Sequence, residues 1–230
     1  MEPDMDGPVA KRSWWLPQRR FTLEELIADG IVHGVGIVAG GAVGSVILAL
    51  AVLKTAPSEV PALAVYIGSL LAVLSVSMAY NLWPVTPVKS ILARFDQAAI
   101  FLFIAGTYTP FLAILGGSAS GIVMMVLVWA ASLIGIALKL IVPQRFGRLA
   151  IMLYLAIGWS GVLVFQQLAA SLPPVTLGLL VAGGIVYSLG IVFHLWDRLK
   201  FQNALWHGFV VVAAMLHLAA ILDCWVISRL

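Results

Sequence analysis

Four histidines and a few acids and amides carry the chemistry open to this chain. His33, Asp96, His194, His207, His217 and Asp223 are ionisable groups set in or beside long apolar runs, joined there by the uncharged Ser77, Asn81, Gln97 and Asn203. Imidazoles exchange protons near neutral pH and ligate metals, and a positioned carboxylate serves as a general base. Such groups are costly in lipid and face a bundle interior where they persist. Asn203 and His207 are four positions apart and stack on one helix face, as do Ser77 and Asn81. His217 lies ten residues beyond His207, about 15 Å along a helix, too far to share a metal with it. His194, followed by Trp196, Asp197 and Arg198, reads as interfacial. Asp223 falls at the far end of the last apolar run, in reach of headgroups or solvent. The bland alternative for each group is a hydrogen bond across helices that holds the bundle together.

The elements that must position these groups are membrane spans. Of 230 residues, 62% are hydrophobic and 10% charged, against about 45–50% and about 25% in soluble domains. A net charge of +3 made of scattered groups excludes a nucleic-acid-binding surface. The single cysteine, Cys224, excludes an internal disulfide or a cysteine-based zinc site. A bilayer core needs about 20 apolar helical residues. Seven such runs lie near Ile31–Leu53, Val60–Leu82, Phe95–Leu115, Gly121–Val142, Leu149–Leu168, Thr176–Phe193 and Ala204–Ile227, mostly bounded by proline and glycine. The fold class is therefore an all-α integral membrane protein, a seven-helix bundle. Residues 1–20 form a tail and 21–230 the membrane domain.

Eleven of the thirteen basic residues fall on one side of these spans, with Lys54 and Arg229 on the other. Cytoplasmic loops accumulate Lys and Arg. The amino terminus is thus expected inside and the carboxyl terminus outside, in a multi-pass protein of the inner (plasma) membrane whose partners are lipids. This orientation brings the ends of four spans, with His33, Asn81, Asp96, Asn203 and His207, to the cytoplasmic side as one polar cluster. The acidic start and the short Trp14-Trp15-Leu16 run do not read as a cleaved signal. Trp14, Trp15 and Phe21 beside Arg19 and Arg20 read as an interface anchor, and Thr22 with Glu25 has capping-box spacing. Gly36, Gly40 and Gly44 are spaced for close helix packing. Pro110 predicts a kink in the third span, with threonine hydroxyls taking freed carbonyls. The last span holds no lysine for a retinal Schiff base, and the inside amino terminus opposes a conventional heptahelical receptor. A pore finds little support, because no span carries a polar stripe along its length.

Several runs together resemble the hemolysin III family. These are Glu25-Leu26-Ile27-Ala28-Asp29 leading into His33-Gly34-Val35-Gly36, Ser77-Met78-Ala79-Tyr80, Phe95-Asp96, Ala105-Gly106-Thr107-Tyr108-Thr109-Pro110-Phe111, Tyr187-Ser188-Leu189-Gly190 and Trp206-His207-Gly208-Phe209. The resemblance runs from about Phe21 to Ile221. The wider superfamily includes the progestin and adipoQ receptors and, more distantly, is similar to alkaline ceramidases.

The resemblance implies a zinc ion near the cytoplasmic face, held by a Ser-x-x-x-His motif on the second helix and a His-x-x-x-His motif on the seventh. It also implies an aspartate on the third helix near the metal-bound water. Ser77, Asp96 and His207 are retained, whereas Asn81 and Asn203 stand at the other two histidine positions, and Gln97 stands where many bacterial members have histidine. Amides are poor zinc ligands, so the implied site is degenerate, no cofactor is expected, and a non-catalytic scaffold or lipid-binding role follows. The alternative is a metal-dependent hydrolase of a lipid amide or ester bond, with Asp96 as base, Ser77 as its partner, His207 as surviving ligand and His33 as the nearby substitute. The family name adds a pore-forming alternative.

Overall fold

A computed structural model of the chain describes residues 21–143 and 147–229. The tail to residue 20, with Trp14, Trp15, Arg19 and Arg20, lies outside the described residues, as do Arg145 and the side chain of Arg148. The described chain is helical, with no strand among these residues. In order it forms α1 (Leu23–Lys54), α2 (Val60–Leu82), α3 (Pro87–Ile114), α4 (Ala119–Ile141), α5 (Gly147–Gly158), α6 (Phe165–Ser171), α7 (Pro174–His194) and α8 (Gln202–Trp225). A 3-10 turn, Ser160–Val164, joins α5 to α6, so that these two make one span. Among the described residues, seven helical segments are long and apolar enough to cross a membrane.

Two spans, the first and the third, start about two turns earlier than their apolar runs suggest, because caps and not hydrophobicity set a helix end. In α1 the Thr22 N–H donates to the Glu25 carboxylate at 2.9 Å and the Glu25 N–H to the Thr22 hydroxyl at 3.3 Å, the reciprocal capping box. The helix then runs unbroken into the first span, which carries Glu25, Asp29 and His33 into the interior. In α3, Thr86 is the cap residue and Pro87 opens the first turn. Lys89 and Arg94 lie within α3, and their side chains are spent on the C-termini of α2 and α4. The Lys89 ammonium donates to the carbonyls of Tyr80, Asn81 and Trp83 at 2.7, 3.2 and 2.8 Å, and Arg94 to that of Leu140 at 3.1 Å. Cations are favoured there by the orphan carbonyls and the negative dipole end.

The fifth span is broken, unlike the continuous helix read from its composition. Tyr108 of α3 occupies the break. Its hydroxyl donates to the Gly158 carbonyl and accepts the Gly161 N–H, both at 2.7 Å. Irregular backbone survives at membrane depth only with such partners. Near Pro110 the threonine hydroxyls behave differently from expectation. Thr107 and Thr109 bond the carbonyls of Phe103 and Ala105, not that of Gly106, which faces the proline ring four residues on.

Helix α1 packs on α2 and α8, α2 on α3, α3 on α4, and α7 on α8. The glycine stripe makes the first contact close. A Cβ at Gly36 would stand 2.7 Å from Val211, one at Gly40 3.2 Å from Leu70, and one at Gly44 2.8 Å from Ile67. The buried centre holds Tyr66, Leu70, Leu74, Phe101, Leu218 and Ile221. Large apolar side chains such as Val38, Val46, Val126, Leu133 and Val192 face outward, as a lipid solvent permits and water does not. The chain is a multi-pass membrane protein in a lipid environment.

Candidate functional site

The polar cluster assembles one to two turns inside the end of the bundle where α1, α3 and α8 begin and α2 ends. Glu25 sets the register of α8 against α1. Its carboxylate accepts the Phe201 N–H at 2.8 Å and holds that residue at φ 59°, a left-handed conformation that non-glycine residues seldom adopt unaided. Helix α8 starts from this clamp and delivers His207 to Asp29, one turn along α1 from Glu25. The Asp29 Oδ1 and His207 Nδ1 atoms are 2.6 Å apart, with Asp29 1% exposed. A charge-assisted hydrogen bond of this length contributes about 1.5–3 kcal/mol. On the other side of the ring, His207 Nε2 meets the Ser77 hydroxyl at 3.3 Å. Ser77 also reaches the Asp96 carboxylate on α3. Carboxylate, imidazole, hydroxyl and second carboxylate thus follow one another across four helices.

The two asparagines sit one turn nearer the end of the bundle, half-exposed. The Asn203 amide donates to Asn81 Oδ1 at 3.0 Å. Asn81 donates in turn to the Ser77 carbonyl at 2.9 Å and to its hydroxyl at 3.3 Å. The amide pair ties α2 to α8 across the mouth of the cluster. Zinc does not fit at the positions the resemblance assigns to it, because two of those three positions hold amides bonded to each other and to Ser77. His207 is the one imidazole left there.

His33 lies on the other side of His207, its ring centroid 4.3 Å away and the residue fully buried. Its Nδ1 bonds the Asp29 backbone carbonyl at 2.9 Å. Its Nε2 and the second carboxylate oxygen of Asp29 have no hydrogen-bond partner among the described residues. Asp29, His33 and His207 present ligand atoms that all lie within 4.8 Å of one another, all three side chains being buried, so this group could hold a metal. Asp29 is not among the candidate residues named from the sequence. Its sequence signal is the i, i+4 spacing to His33, which falls outside an apolar run that begins at Ile31.

The other candidates stand apart. Gln97 enters only through its backbone carbonyl, which accepts the Tyr154 hydroxyl at 2.9 Å. His217 bonds the Leu180 carbonyl on α7 at 3.2 Å, away from His207. Asp223 is half-buried and accepts the Thr176 hydroxyl at 2.6 Å, so it faces α7 and not solvent alone. His194 is exposed, as its interfacial sequence suggests.

Fold and site together define a polytopic helical membrane protein with a buried imidazole–carboxylate centre near one face. The chain matches the Haemolysin-III related family over residues 21–218, and it belongs to that family. It is 33% identical over 192 residues to the hemolysin-3 homolog of Bacillus subtilis (strain 168), covering 83% of this chain and 90% of that protein. It is also 33% identical over 192 residues to hemolysin-3 of Bacillus cereus, covering 84% and 87%. The human monocyte to macrophage differentiation factor is 34% identical over 131 residues, 55% of this chain and 52% of that protein.

Proposed function

We propose that this protein is an intramembrane hydrolase that cleaves an ester or amide bond of a membrane lipid, with Ser77 as nucleophile. The observation that carries this reading is the series Asp29 Oδ1, His207 Nδ1, His207 Nε2, Ser77 Oγ, with contacts of 2.6 and 3.3 Å. That is the order a nucleophilic serine requires: hydroxyl, base, and an anion that fixes the base's tautomer. The Asp29 carboxylate takes the Nδ1 proton as acceptor, which leaves the Nε2 lone pair facing the hydroxyl.

The Ser77 oxygen attacks the substrate carbonyl carbon while His207 Nε2 takes the hydroxyl proton. Asp29 stabilises the imidazolium. The carbon–oxygen or carbon–nitrogen bond breaks as His207 returns that proton to the leaving alcohol or amine, and the acyl group stays on Ser77. Water then adds to the acyl ester, giving up a proton to His207 or Asp96, and the free acid departs as Ser77 regains its hydrogen. No step runs through a metal.

A lipid substrate suits the depth of the site, one to two turns below the end of the bundle, where the ester and amide linkages of membrane lipids lie. The basic bias supports the cytoplasmic leaflet of the inner membrane as its source. The distant similarity of the wider superfamily to alkaline ceramidases points to the same bond classes.

The test is covalent labelling. Protein in nanodiscs, treated with a chelator, is exposed to a fluorophosphonate, whose phosphorus takes the Ser77 oxygen as fluoride leaves. Label on Ser77 in the native chain, lost in His207→Gln, supports the reading. An unlabelled Ser77 in folded protein refutes it and leaves the non-catalytic, lipid-binding role that the Asn81–Asn203 pair suggests.

A further inference from the structure

The acyl-transfer series built on Ser77 answers every charge but one. When Ser77 Oγ bonds the substrate carbon, the electron pair of the carbonyl bond moves onto its oxygen. An oxyanion stands there until the leaving group departs. Asp29 and His207 serve the proton and not this oxygen, and the Asp96 carboxylate, which reaches Ser77 from α3, repels it. A preorganised N–H donor is what such an oxygen requires. Asn81 lies one turn along α2 from Ser77, and its amide is oriented by two fixed partners. The Ser77 backbone carbonyl, which can only accept, takes a hydrogen from Nδ2 at 2.9 Å. The Asn203 amide donates to Oδ1 at 3.0 Å from α8. Nitrogen therefore faces Ser77 and oxygen faces α8, and turning the amide over would break both bonds.

Nδ2 carries two hydrogens. One is held by the carbonyl, and the other faces Ser77 Oγ at 3.3 Å, a long contact that a stronger acceptor takes over. The Ser77 hydroxyl accepts this hydrogen while its own goes to His207, so donor and base act on one oxygen without competing. The oxyanion forms on the carbon that Oγ has just bonded, hence beside Oγ. A donor already there closes on it to about 2.7–3.1 Å. We infer that Asn81 is a catalytic residue of the same reaction, its Nδ2–H donating to the oxyanion, and that Asn203 is a positioning residue that holds the Asn81 amide in that orientation. This rests on the hydrolase reading. As the tetrahedral centre collapses, the electron pair returns to re-form the carbonyl bond, and the leaving group departs with the proton from His207. The Asn81 hydrogen stays on nitrogen throughout. Residues 81 and 203 are positions where the resemblance implies metal-binding imidazoles. An imidazole presents a lone pair to a cation, whereas an amide presents hydrogens to an anion. The asparagine pair thus changes how the carbonyl oxygen is stabilised.

The test is the concentration dependence of fluorophosphonate labelling at Ser77, with full-length protein in chelator-treated nanodiscs. It separates probe affinity from the rate constant of the bond-forming step, in which the phosphoryl oxygen gains charge as a carbonyl oxygen does. Asn81→Leu keeps the side chain's size and removes its hydrogens. Its rate constant should fall about 10²–10³-fold, with probe affinity within about threefold of native. Asn203→Leu leaves the Asn81 amide in place but free to turn, and should lose more than about threefold but less than Asn81→Leu. Added to Asn81→Leu, it should cost less than about twofold more, because it acts through Asn81. Thermal unfolding run in parallel shows which variants are folded. Asn81→Asp, of the same shape and without a hydrogen to give when ionised, replaces Asn81→Leu if that protein does not fold, with a loss of at least about 10²-fold expected.

A folded Asn81 variant whose rate constant stays within about threefold of native overturns the donor role and leaves the hydrolase reading standing. So does a loss carried by probe affinity alone, since a donor to the oxyanion acts in the bond-forming step. Losses that add in the double variant overturn the role of Asn203. A native chain that never labels overturns the hydrolase reading, and the assignment of Asn81 with it.

Discussion

Replacing Asp29 with asparagine keeps the side chain's size and removes one buried charge from behind His207. In the resting protein the 2.6 Å contact contributes about 1.5–3 kcal/mol as a charge-assisted hydrogen bond. Its larger effect comes when His207 takes the Ser77 proton and becomes an imidazolium. Opposite charges about 4 Å apart at an effective dielectric of 20 attract by roughly 4 kcal/mol. Losing that attraction at about 1.4 kcal/mol per tenfold slows the step about 10³-fold. The neutral amide can also donate to Nδ1 and so favour the wrong tautomer, which acts in the same direction. The assay is the first-order rate of fluorophosphonate labelling at Ser77 in chelator-treated nanodiscs, native beside Asp29→Asn. Thermal unfolding run in parallel shows that both proteins are folded. A folded Asp29→Asn protein that labels within about tenfold of native refutes the reasoning, because Asp29 would then be a packing partner of His207 and nothing more.

Gly36→Ala should destabilise the bundle by about 1–3 kcal/mol through overpacking, since its Cβ would stand 2.7 Å from Val211; reversible unfolding in mixed detergent micelles reads the change. Lys89→Met should lower the thermal midpoint by uncapping the carbonyls of Tyr80, Asn81 and Trp83, a loss of about 2 kcal/mol or more. Adding Asn81→His and Asn203→His should give about one zinc per chain by building a three-imidazole site with His207, which elemental analysis checks. Two single-cysteine variants test the orientation, since native Cys224 is buried. Cysteine replacing the exposed Ser58 should react with an impermeant maleimide on intact cells, and cysteine replacing Lys200 only after permeabilisation.

The local features were legible for local reasons. A capping box needs only Thr22 and Glu25 three positions apart. A span needs only some twenty apolar residues between breakers. The glycine stripe Gly36–Gly40–Gly44 repeats at the helical period. Each of these is decided by hydrogen bonds or side-chain spacing within one helix, so one segment of sequence contains the whole cause. The grouping of Ser77, Asn81, Asp96, Asn203 and His207 at one end was also within reach, because alternating span directions assign each polar residue to an end.

The partnerships within that group belong to the tertiary structure. Asp29 and His207 are 178 positions apart, and nothing in either segment names the other. Their meeting depends on the rotation and register of α1 against α8, which the Glu25–Phe201 clamp and the glycine stripe set jointly. Tyr108 occupies the break at Gly158–Gly161 for the same kind of reason: a backbone gap in lipid takes a donor and acceptor from whichever neighbour is at hand. Seven apolar helices, and the end that each polar residue shares, follow from the chain read segment by segment, since helix formation and membrane insertion are properties of single segments. Only the packed bundle decided that His207 stands between Asp29 and Ser77, with Asn81 paired to Asn203, because in lipid the choice of facing surfaces is made by shape and hydrogen bonding between helices and not by hydrophobicity along them.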